Sequence, residues 1–173
     1  FITGHTGFKG TWMTLVLKLL GAKIKGFALA PNTNPSHFSI LNLNNDIEHI
    51  DGDIRDFESL NNAIQDFNPE FVFHLAAQPL VKESYVNPKE TLDTNIMGSV
   101  NLLEAVRKCD SIKSLTFITS DKCYENVEWI WGDRENDSMG GHDPYSASKG
   151  AAEIVFSSYL RSYFSSNLNI GAA

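Results

Sequence analysis

Short apolar runs of strand length alternate with longer stretches of helical periodicity along nearly the whole chain. The run at 71–75 is apolar on both faces, as expected of a strand that is covered on both sides in a parallel sheet. Strands that alternate with helices in this way form right-handed β–α–β units. The pattern therefore predicts an α/β fold with a doubly wound parallel sheet. The expected strands are 1–3, 24–29, 47–50, 71–75 and 115–118, and the expected helices are 8–20, 57–67, 88–109 and one that begins after residue 143.

Local signals fix the ends of several helices. Gly21 is placed to end the first helix, and Asp56 and Asp143 are suitable N-caps, the latter followed by Pro144 in the first turn. The spacing of apolar residues in the first helix predicts a buried side made of Trp12, Leu15, Val16, Leu19 and Leu20.

Length and composition exclude several classes of protein. The 173 residues suffice for one domain with a substantial core, and the net charge of −7 argues against the basic stripe of a nucleic-acid-binding protein. No apolar run is long enough to span a bilayer, so we expect no membrane partner. The cysteines, Cys109 and Cys123, form no CxxC pair, which favours a reducing compartment and predicts a cytoplasmic protein.

Both ends of the chain look interrupted. The chain begins with Phe1 rather than Met, only three residues stand before the first glycine of a glycine-rich motif, and a further strand is due at 169–173. We therefore expect residues 1–173 to be one nucleotide-binding domain that is truncated at both ends, with the last strand or strands of the sheet missing.

The glycine-rich motif is Gly4-His5-Thr6-Gly7-Phe8-Lys9-Gly10. Its position between a strand and a helix is that of a Rossmann-type loop, in which glycines permit a tight turn, close approach of a pyrophosphate and close helix packing. A mononucleotide phosphate loop requires Gly-Lys-Ser/Thr, whereas the order here is Lys9-Gly10-Thr11. The motif thus predicts a dinucleotide cofactor; a purely structural turn is the alternative.

The second strand lacks the acid that usually binds the adenosine ribose. Residues 24–30 contain no Asp or Glu, and Lys23 and Lys25 are nearby. This strand therefore does not distinguish NADP from NAD as the cofactor. Asp53, at the end of the third strand, is the best acid for an adenine or ribose contact. Capping of the next turn is an equally good interpretation of Asp53.

Tyr145 and Lys149 lie four residues apart and so project from the same face of one helix. An ammonium beside a phenol stabilises the phenolate, which makes the tyrosine a usable base. The stretch Thr119-Ser120-Asp121-Lys122 adds a hydroxyl upstream. Together these residues predict nicotinamide-dependent chemistry on an alcohol.

The full order of motifs resembles the extended short-chain dehydrogenase/reductase family, whose members act on nucleotide sugars. The motifs are the glycine loop, Asp53-Ile54, His74-Leu75-Ala76-Ala77-Gln78, Asn95, Ser120, and Tyr145 with Lys149. Within that family the chain is most similar to the CDP-glucose 4,6-dehydratases of bacterial surface-polysaccharide synthesis. This closer resemblance is carried by residues 4–10, 28–31, 76–81, 119–126, 129–132 and 143–146.

The resemblance implies NAD as cofactor and no metal. It implies NAD contacts from Gly4, Thr6, Gly7, Phe8, Gly10, Asp53, Ile54, Ala76, Ala77, Gln78, Asn95, Thr119, Tyr145 and Lys149. It also implies a catalytic group that consists of Ser120, Asp121, Lys122, Tyr145 and Lys149.

The implied reaction is dehydration of CDP-D-glucose to CDP-4-keto-6-deoxy-D-glucose. Tyr145 takes the proton of the 4-hydroxyl while hydride leaves C4, Lys149 supports Tyr145, and Ser120 binds the same oxygen. A protonated Asp121 supplies a proton to the departing 6-hydroxyl. Related dTDP-glucose enzymes have Glu where this chain has Lys122, which as a neutral amine would be the C5 base; a salt bridge or a diphosphate contact is the alternative.

Two other interpretations stay open. A nucleotide-sugar epimerase or reductase shares Tyr145 and Lys149 but does not need the Asp121-Lys122 pair, and a non-catalytic NAD(P) sensor would not need the tyrosine or lysine. Family resemblance further implies that a C-terminal substrate lobe is absent here, so we expect the isolated chain to be inactive. It also implies a homodimer or higher oligomer formed by the helices that begin at Pro88 and near Tyr145.

Overall fold

The structure, a computed structural model, describes residues 1–164 in full and the backbone of residues 169–172. Its centre is a six-stranded sheet in the order β3-β2-β1-β4-β5-β6, with every neighbouring pair parallel. The strands are β1 (Ile2–Thr3), β2 (Lys25–Ala28), β3 (Glu48–Asp51), β4 (Phe71–His74), β5 (Ser114–Phe117) and β6 (Asn169–Ala172).

Helices connect these strands in the predicted alternation. The described helices are α1 (Phe8–Leu19), α2 (His37–Ile40), α3 (Phe57–Phe67), α4 (Val81–Val86), α5 (Pro88–Leu92), α6 (Gly98–Arg107) and α7 (Pro144–Tyr163). Short 3₁₀ turns lie at Leu43–Asn45 and Asp121–Cys123. The sequence pattern did not predict α2 or α4.

The strand order reverses between β1 and β4. From β1 the chain proceeds outward through β2 and β3, whereas β4, β5 and β6 follow on the other side. A crevice for ligands forms at such a switch point, beyond the carboxyl ends of the strands. The predicted doubly wound α/β fold is confirmed, and the strand that is due near residue 169 is present as β6, paired with β5.

Helices α3, α6 and α7 cover one face of the sheet, and α1 with α2 lies on the other. The side chains that pack together on the first face form the main apolar cluster. Burial of such side chains contributes roughly 1.5–3 kcal/mol each, which makes this cluster the main source of the stability of the sheet. Its largest wholly buried members are Phe27, Leu60, Ile64, Leu102, Leu103, Ile112, Leu115 and Phe117.

The prediction for the buried side of α1 is wrong. The residues Trp12, Val16, Leu19 and Leu20 are between 49% and 77% exposed and Leu15 is half-buried, whereas the buried side consists of Gly10, Thr11 and Thr14. Small residues are required there because α1 packs closely against its own glycine loop. Two threonine hydroxyls support this packing, since they donate to the carbonyl oxygens of His5 and Gly10 over 3.2 and 2.8 Å.

The segment predicted as one α-helix at 88–109 contains a π-helical turn. Helix α5 continues through the π turn Asp93–Met97 into α6, which ends at Arg107. The turn shifts the phase of the helix, so that Leu92 is exposed while the polar residues Thr91, Asn95 and Ser99 are buried. Single π-helical turns of this kind, which insert one extra residue into an α-helix, occur frequently at functional sites.

The predicted helix ends agree with the structure. Asp56 and Asp143 are the N-caps of α3 and α7, each accepting a backbone N–H three residues ahead, over 3.1 and 3.0 Å. Gly21 follows α1 with φ of +80°. Within the residues that the structure describes, no helix is both long and apolar enough to cross a membrane.

Candidate active site

The glycine loop brings three backbone segments into close contact. Gly4 has φ of +74°, its amide donates to the carbonyl of Phe27 over 3.0 Å, and a Cβ there would lie 2.6 Å from the amide nitrogen of Ala76. A side chain at this position would therefore be strained and would separate β1 from the loop after β4. Gly7 is the N-cap of α1, and no side chain caps the first-turn N–H groups of that helix.

A cleft with a cavity volume of about 790 Å³ lies over the carboxyl ends of the strands. This volume is within the range of small-molecule and cofactor sites. All the predicted cofactor-binding residues except Asn95 line it. They are Gly4, Thr6, Gly7, Phe8, Gly10, Asp53, Ile54, Ala76, Ala77, Gln78, Thr119, Tyr145 and Lys149.

Asn95 lies behind the wall of the cleft. Its side chain is buried, and the carboxamide oxygen accepts the amide N–H of Gln78 over 2.8 Å. The nitrogen donates to the carbonyl of Gln78 and to the hydroxyl of Ser148. The Gln78 side chain is also engaged within the protein, with Thr91 and with the backbone of Leu80. Asn95 thus supports the wall from behind.

Asp53 lines the cleft as a partner of Arg55. The guanidinium contacts both carboxylate oxygens at 2.6–3.0 Å, and the Arg55 amide donates to Oδ1 over 2.9 Å. These hydrogen bonds lower the pKa of Asp53 below its ordinary value. The amide contact is the turn-capping role that we considered for Asp53. Sequence analysis missed Arg55, although its spacing two residues after a strand-end acid was the available signal.

Tyr145 and Lys149 meet in the cleft as their spacing predicts. Each is only 8% exposed, and the Lys149 ammonium lies 6.0 Å from the centre of the Tyr145 ring. Burial lowers the pKa of Lys149, and the positive charge of Lys9 lowers it further. A largely buried phenol beside a cation is suited to exchanging a proton with a bound alcohol.

A second, more apolar cavity of about 880 Å³ adjoins the cleft. The two share the lining residues Lys9, Leu75, Ile118 and Thr119. Lys9, which the sequence places in the glycine-rich motif beside the expected pyrophosphate, therefore lies at the border of both cavities. The second cavity is otherwise lined by Trp12, Met13, Val16, Ser120, Asp121, Cys123, Tyr124, Glu135, Met139 and Glu153.

The Ser120–Lys122 segment forms the edge of this second cavity. The Ser120 hydroxyl donates to Asp121 Oδ1 over 3.1 Å and accepts the Lys122 amide over 3.2 Å, so it caps the 3₁₀ turn that follows. The side chains of Asp121 and Lys122 are 79% and 58% exposed, with 3.9 Å between the ammonium and the carboxylate. Both charged groups are therefore open to solvent, and Lys122 lines neither cavity.

Other residues that the sequence brought to attention are unreactive, belong to the core or lie away from both cavities. Cys123 is buried, and burial raises the pKa of its thiol to about 11, which leaves it unreactive. His74 is a buried core histidine bonded to Thr3. The exposed stretch from Trp129 to Trp131 lines neither cavity. Among the described residues, no group of three His, Cys, Asp or Glu could hold a metal ion.

Known proteins of similar sequence and structure include dehydratases and epimerases. Residues 1–170 match the family model described as GDP-mannose 4,6 dehydratase. The chain is 58% identical over 164 residues to the CDP-glucose 4,6-dehydratase of Salmonella typhimurium, a match that covers 95% of this chain and 46% of that enzyme.

Solved structures share the fold. The UDP-glucose 4-epimerase of Thermus thermophilus, in complex with NAD, matches with a TM-score of 0.84 at 29% identity, covering 99% of this chain and 52% of that one. DesIV, a dTDP-glucose 4,6-dehydratase from Streptomyces venezuelae, matches with a TM-score of 0.79 at 22% identity, covering 99% and 53%. The chain thus spans about half the length of the relatives it matches.

Proposed function

The chain belongs to the GDP-mannose 4,6-dehydratase family, and from this premise we propose that it is the cofactor-binding and proton-transfer half of a CDP-glucose 4,6-dehydratase. The observation that carries the proposal is its high identity to the Salmonella CDP-glucose 4,6-dehydratase over nearly the whole chain. The gathering of Thr119, Tyr145 and Lys149 in one cleft supports it.

We propose NAD as the cofactor. The first turn of α1 offers N–H groups that no side chain caps, at the end of a helix where a diphosphate is favoured. Gly4 lets the loop pass close to the backbone of Ala76, and both residues line the cleft. The epimerase of similar fold was solved with NAD, which supports the same cofactor here. When bound, NAD⁺ would supply the hydride acceptor for C4 of the sugar and the donor for C6.

In the proposed reaction, CDP-D-glucose yields CDP-4-keto-6-deoxy-D-glucose and water. The phenolate of Tyr145 takes the proton of the 4-hydroxyl, and the buried Lys149 stabilises the phenolate. Ser120, which lines the second cavity directly after the shared residue Thr119, would donate a hydrogen bond to the same oxygen as it becomes a carbonyl.

A 4-keto group makes the C5 proton acidic, so water can leave from C5 and C6. A protonated Asp121 would donate to the 6-hydroxyl as it leaves, and Lys122 would take the C5 proton. Both side chains are solvent-exposed in this chain, so we propose that the rest of the protein and the bound sugar remove them from water. The second cavity, which is lined by Ser120 and Asp121, would take the sugar and nucleotide next to the cleft that Tyr145 lines.

We further propose a cytoplasmic enzyme that self-associates. Exposed apolar side chains on α4, on the π turn and on α7 support a contact with a second copy, among them Tyr85, Val86, Met97 and Ile154. Light scattering on the full-length protein tests this; a monomer at micromolar concentration would exclude it.

The decisive experiment for the reaction uses the full-length protein, NAD⁺ and CDP-glucose deuterated at C4. The expected product has lost water and carries the deuterium at C6. A deuterated product isomeric with the substrate would indicate an epimerase instead. If no product forms although NAD⁺ binds, dTDP- and GDP-sugars are tried next, and turnover of none of them would favour a sensor.

A further inference from the structure

A buried hydrogen-bond chain joins the helix that carries Tyr145 to the helix that carries Asn95. The Asn95 side-chain nitrogen donates to the Ser148 hydroxyl over 2.8 Å, and that hydroxyl donates to the carbonyl oxygen of Tyr145 over 2.6 Å. Ser148 is wholly buried, and Asn95 and Tyr145 are nearly so. The chain of bonds therefore ends on the backbone of the residue whose phenol faces the cleft.

The direction of each bond is fixed by the available protons. A hydroxyl has one proton, so Ser148 that donates to Tyr145 must accept from Asn95. The second N–H of the Asn95 carboxamide goes to the carbonyl of Gln78 over 3.1 Å, and its oxygen accepts the Gln78 amide over 2.8 Å. Asn95 thus has no donor left over.

The π turn brings Asn95 to this position. In the turn Asp93–Met97 the extra residue rotates the buried face of the helix onto Thr91, Asn95 and Ser99. Each of these polar residues is bonded, and Thr91 also accepts from the Gln78 side chain over 2.8 Å. Buried and fully satisfied networks of this kind hold neighbouring segments in one arrangement.

We propose that Ser148 is a positioning residue, which fixes the first turns of α7, and with them the Tyr145 phenol, against the cleft wall at Gln78. The inference rests on the proposed function, because it assigns a kinetic consequence to that placement. A hydroxyl that bonds back to the carbonyl of its own helix has no need of a partner from another helix. The Ser148 hydroxyl nevertheless has such a partner, Asn95. Asn95 is in turn bonded to the backbone of Gln78, in the loop that lines the cofactor cleft.

The chain offers a matched control for a Ser148→Ala variant. Ser146 is also a buried serine in the first turns of α7, and its hydroxyl donates to Asp143 over 2.6 Å, within the helix cap. Loss of either hydroxyl removes a short local bond and lowers stability, but only Ser148 connects α7 to Asn95. Ser148→Cys, which fills the site with a weaker donor and acceptor, replaces Ser148→Ala if the latter does not fold.

Steady-state kinetics of full-length Ser148→Ala with NAD⁺ and CDP-glucose should show kcat reduced about 10- to 100-fold, since small displacements of a reacting group have effects of this size. KM and the NAD⁺ dissociation constant should stay within about threefold, because Ser148 lines neither cavity. Ser146→Ala should keep kcat within about twofold. Equal kcat in the two variants, or a loss confined to KM, would overturn the proposal.

Residue-resolved hydrogen exchange tests the same placement without turnover. In Ser148→Ala the amide of Gln78 should exchange roughly tenfold faster or more, because Asn95 loses an anchor, whereas Ser146→Ala should leave it unchanged. Unchanged protection of Gln78 in both variants would overturn the proposal even in an active enzyme. If the unmodified protein does not convert CDP-glucose, the proposed function fails, and the exchange result decides the placement alone.

Discussion

A Cβ atom on Gly10 would lie 2.0 Å from the carbonyl oxygen of Gly4. Gly10 is in the first turn of α1 and Gly4 directly follows β1, so the close contact seats the helix directly on the loop. The first-turn N–H groups of α1 are held at the cleft by this contact. The packing depends on the absence of a side chain at Gly10.

Gly10→Ala should therefore displace the loop and weaken NAD⁺ binding. Overpacking of this kind costs about 1–3 kcal/mol, which corresponds to roughly 5- to 150-fold in affinity if the displacement falls on the cofactor site. Isothermal titration calorimetry measures the effect. Gly132→Ala is the control, since a Cβ there has nothing within 4 Å and should leave affinity unchanged. Equal affinities in the two variants would contradict this account of the loop.

Tyr145→Phe should remove the proton acceptor for the sugar 4-hydroxyl while it keeps the ring in place. Loss of a positioned acid or base costs about 100- to 10,000-fold in rate, so kcat should fall by roughly 100-fold or more with KM nearly unchanged. Single-turnover measurement of CDP-glucose consumption tests this. Tyr163→Phe, on an exposed tyrosine of the same helix, should retain full activity. Near-normal turnover by Tyr145→Phe would exclude the phenol as base.

The sequence predicted the fold and most of the cleft because these depend on strong local signals. Alternating periodicities indicate a parallel sheet, and parallel strands place their carboxyl ends, with Asp53, Ala76 and Thr119, at one edge. The four-residue spacing of Tyr145 and Lys149 places both side chains in the cleft because α7 is a regular helix there. Such features need no knowledge of long-range packing.

What the sequence did not reveal depends on close packing between segments. The apolar stripe of α1 suggested a buried side, but the contact between Gly10 and Gly4 turns the small residues inward instead. Likewise, helical periodicity at 88–109 did not reveal the π turn Asp93–Met97, in which Asn95 is buried and fully hydrogen-bonded, while the neighbouring Leu92 is exposed. A pattern of residues likewise does not predict that the Lys122 side chain is exposed to solvent.

Lys122→Met tests the proposed C5 base. If Lys122 takes the C5 proton, the variant should lose exchange of the C5 hydrogen with solvent, and elimination of water should slow by roughly 100-fold or more. Mass spectrometry of recovered substrate and product in heavy water follows both. Lys82→Met, on an exposed lysine outside both cavities, should behave as the unmodified protein does. Full elimination by Lys122→Met would assign the lysine to a salt bridge or a diphosphate contact.

His74 should make the stability of the fold depend on pH. It is buried on β4 between the hydroxyls of Thr3, at 2.7 Å, and Ser99, at 3.5 Å, and burial, with a smaller effect from the charge of Lys149, lowers its pKa from 6.5 to about 3. The unfolded chain therefore binds a proton that the folded chain does not, at any pH between these values. The contribution of the neutral His74 to the stability of the fold is therefore complete above pH 6.5, and it is lost as the pH falls towards 3.

The expected effect can be separated from that of the other histidines. Between roughly pH 5.5 and 4, a group that titrates only in the unfolded state adds a slope of about 1.4 kcal/mol per pH unit to the free energy of unfolding. Urea unfolding of His74→Gln should show a slope smaller by about this amount. His5, whose pKa burial lowers to about 4, keeps its own contribution in that variant. The unmodified protein is the reference, and equal slopes for it and for His74→Gln would mean that His74 is protonated within the folded protein.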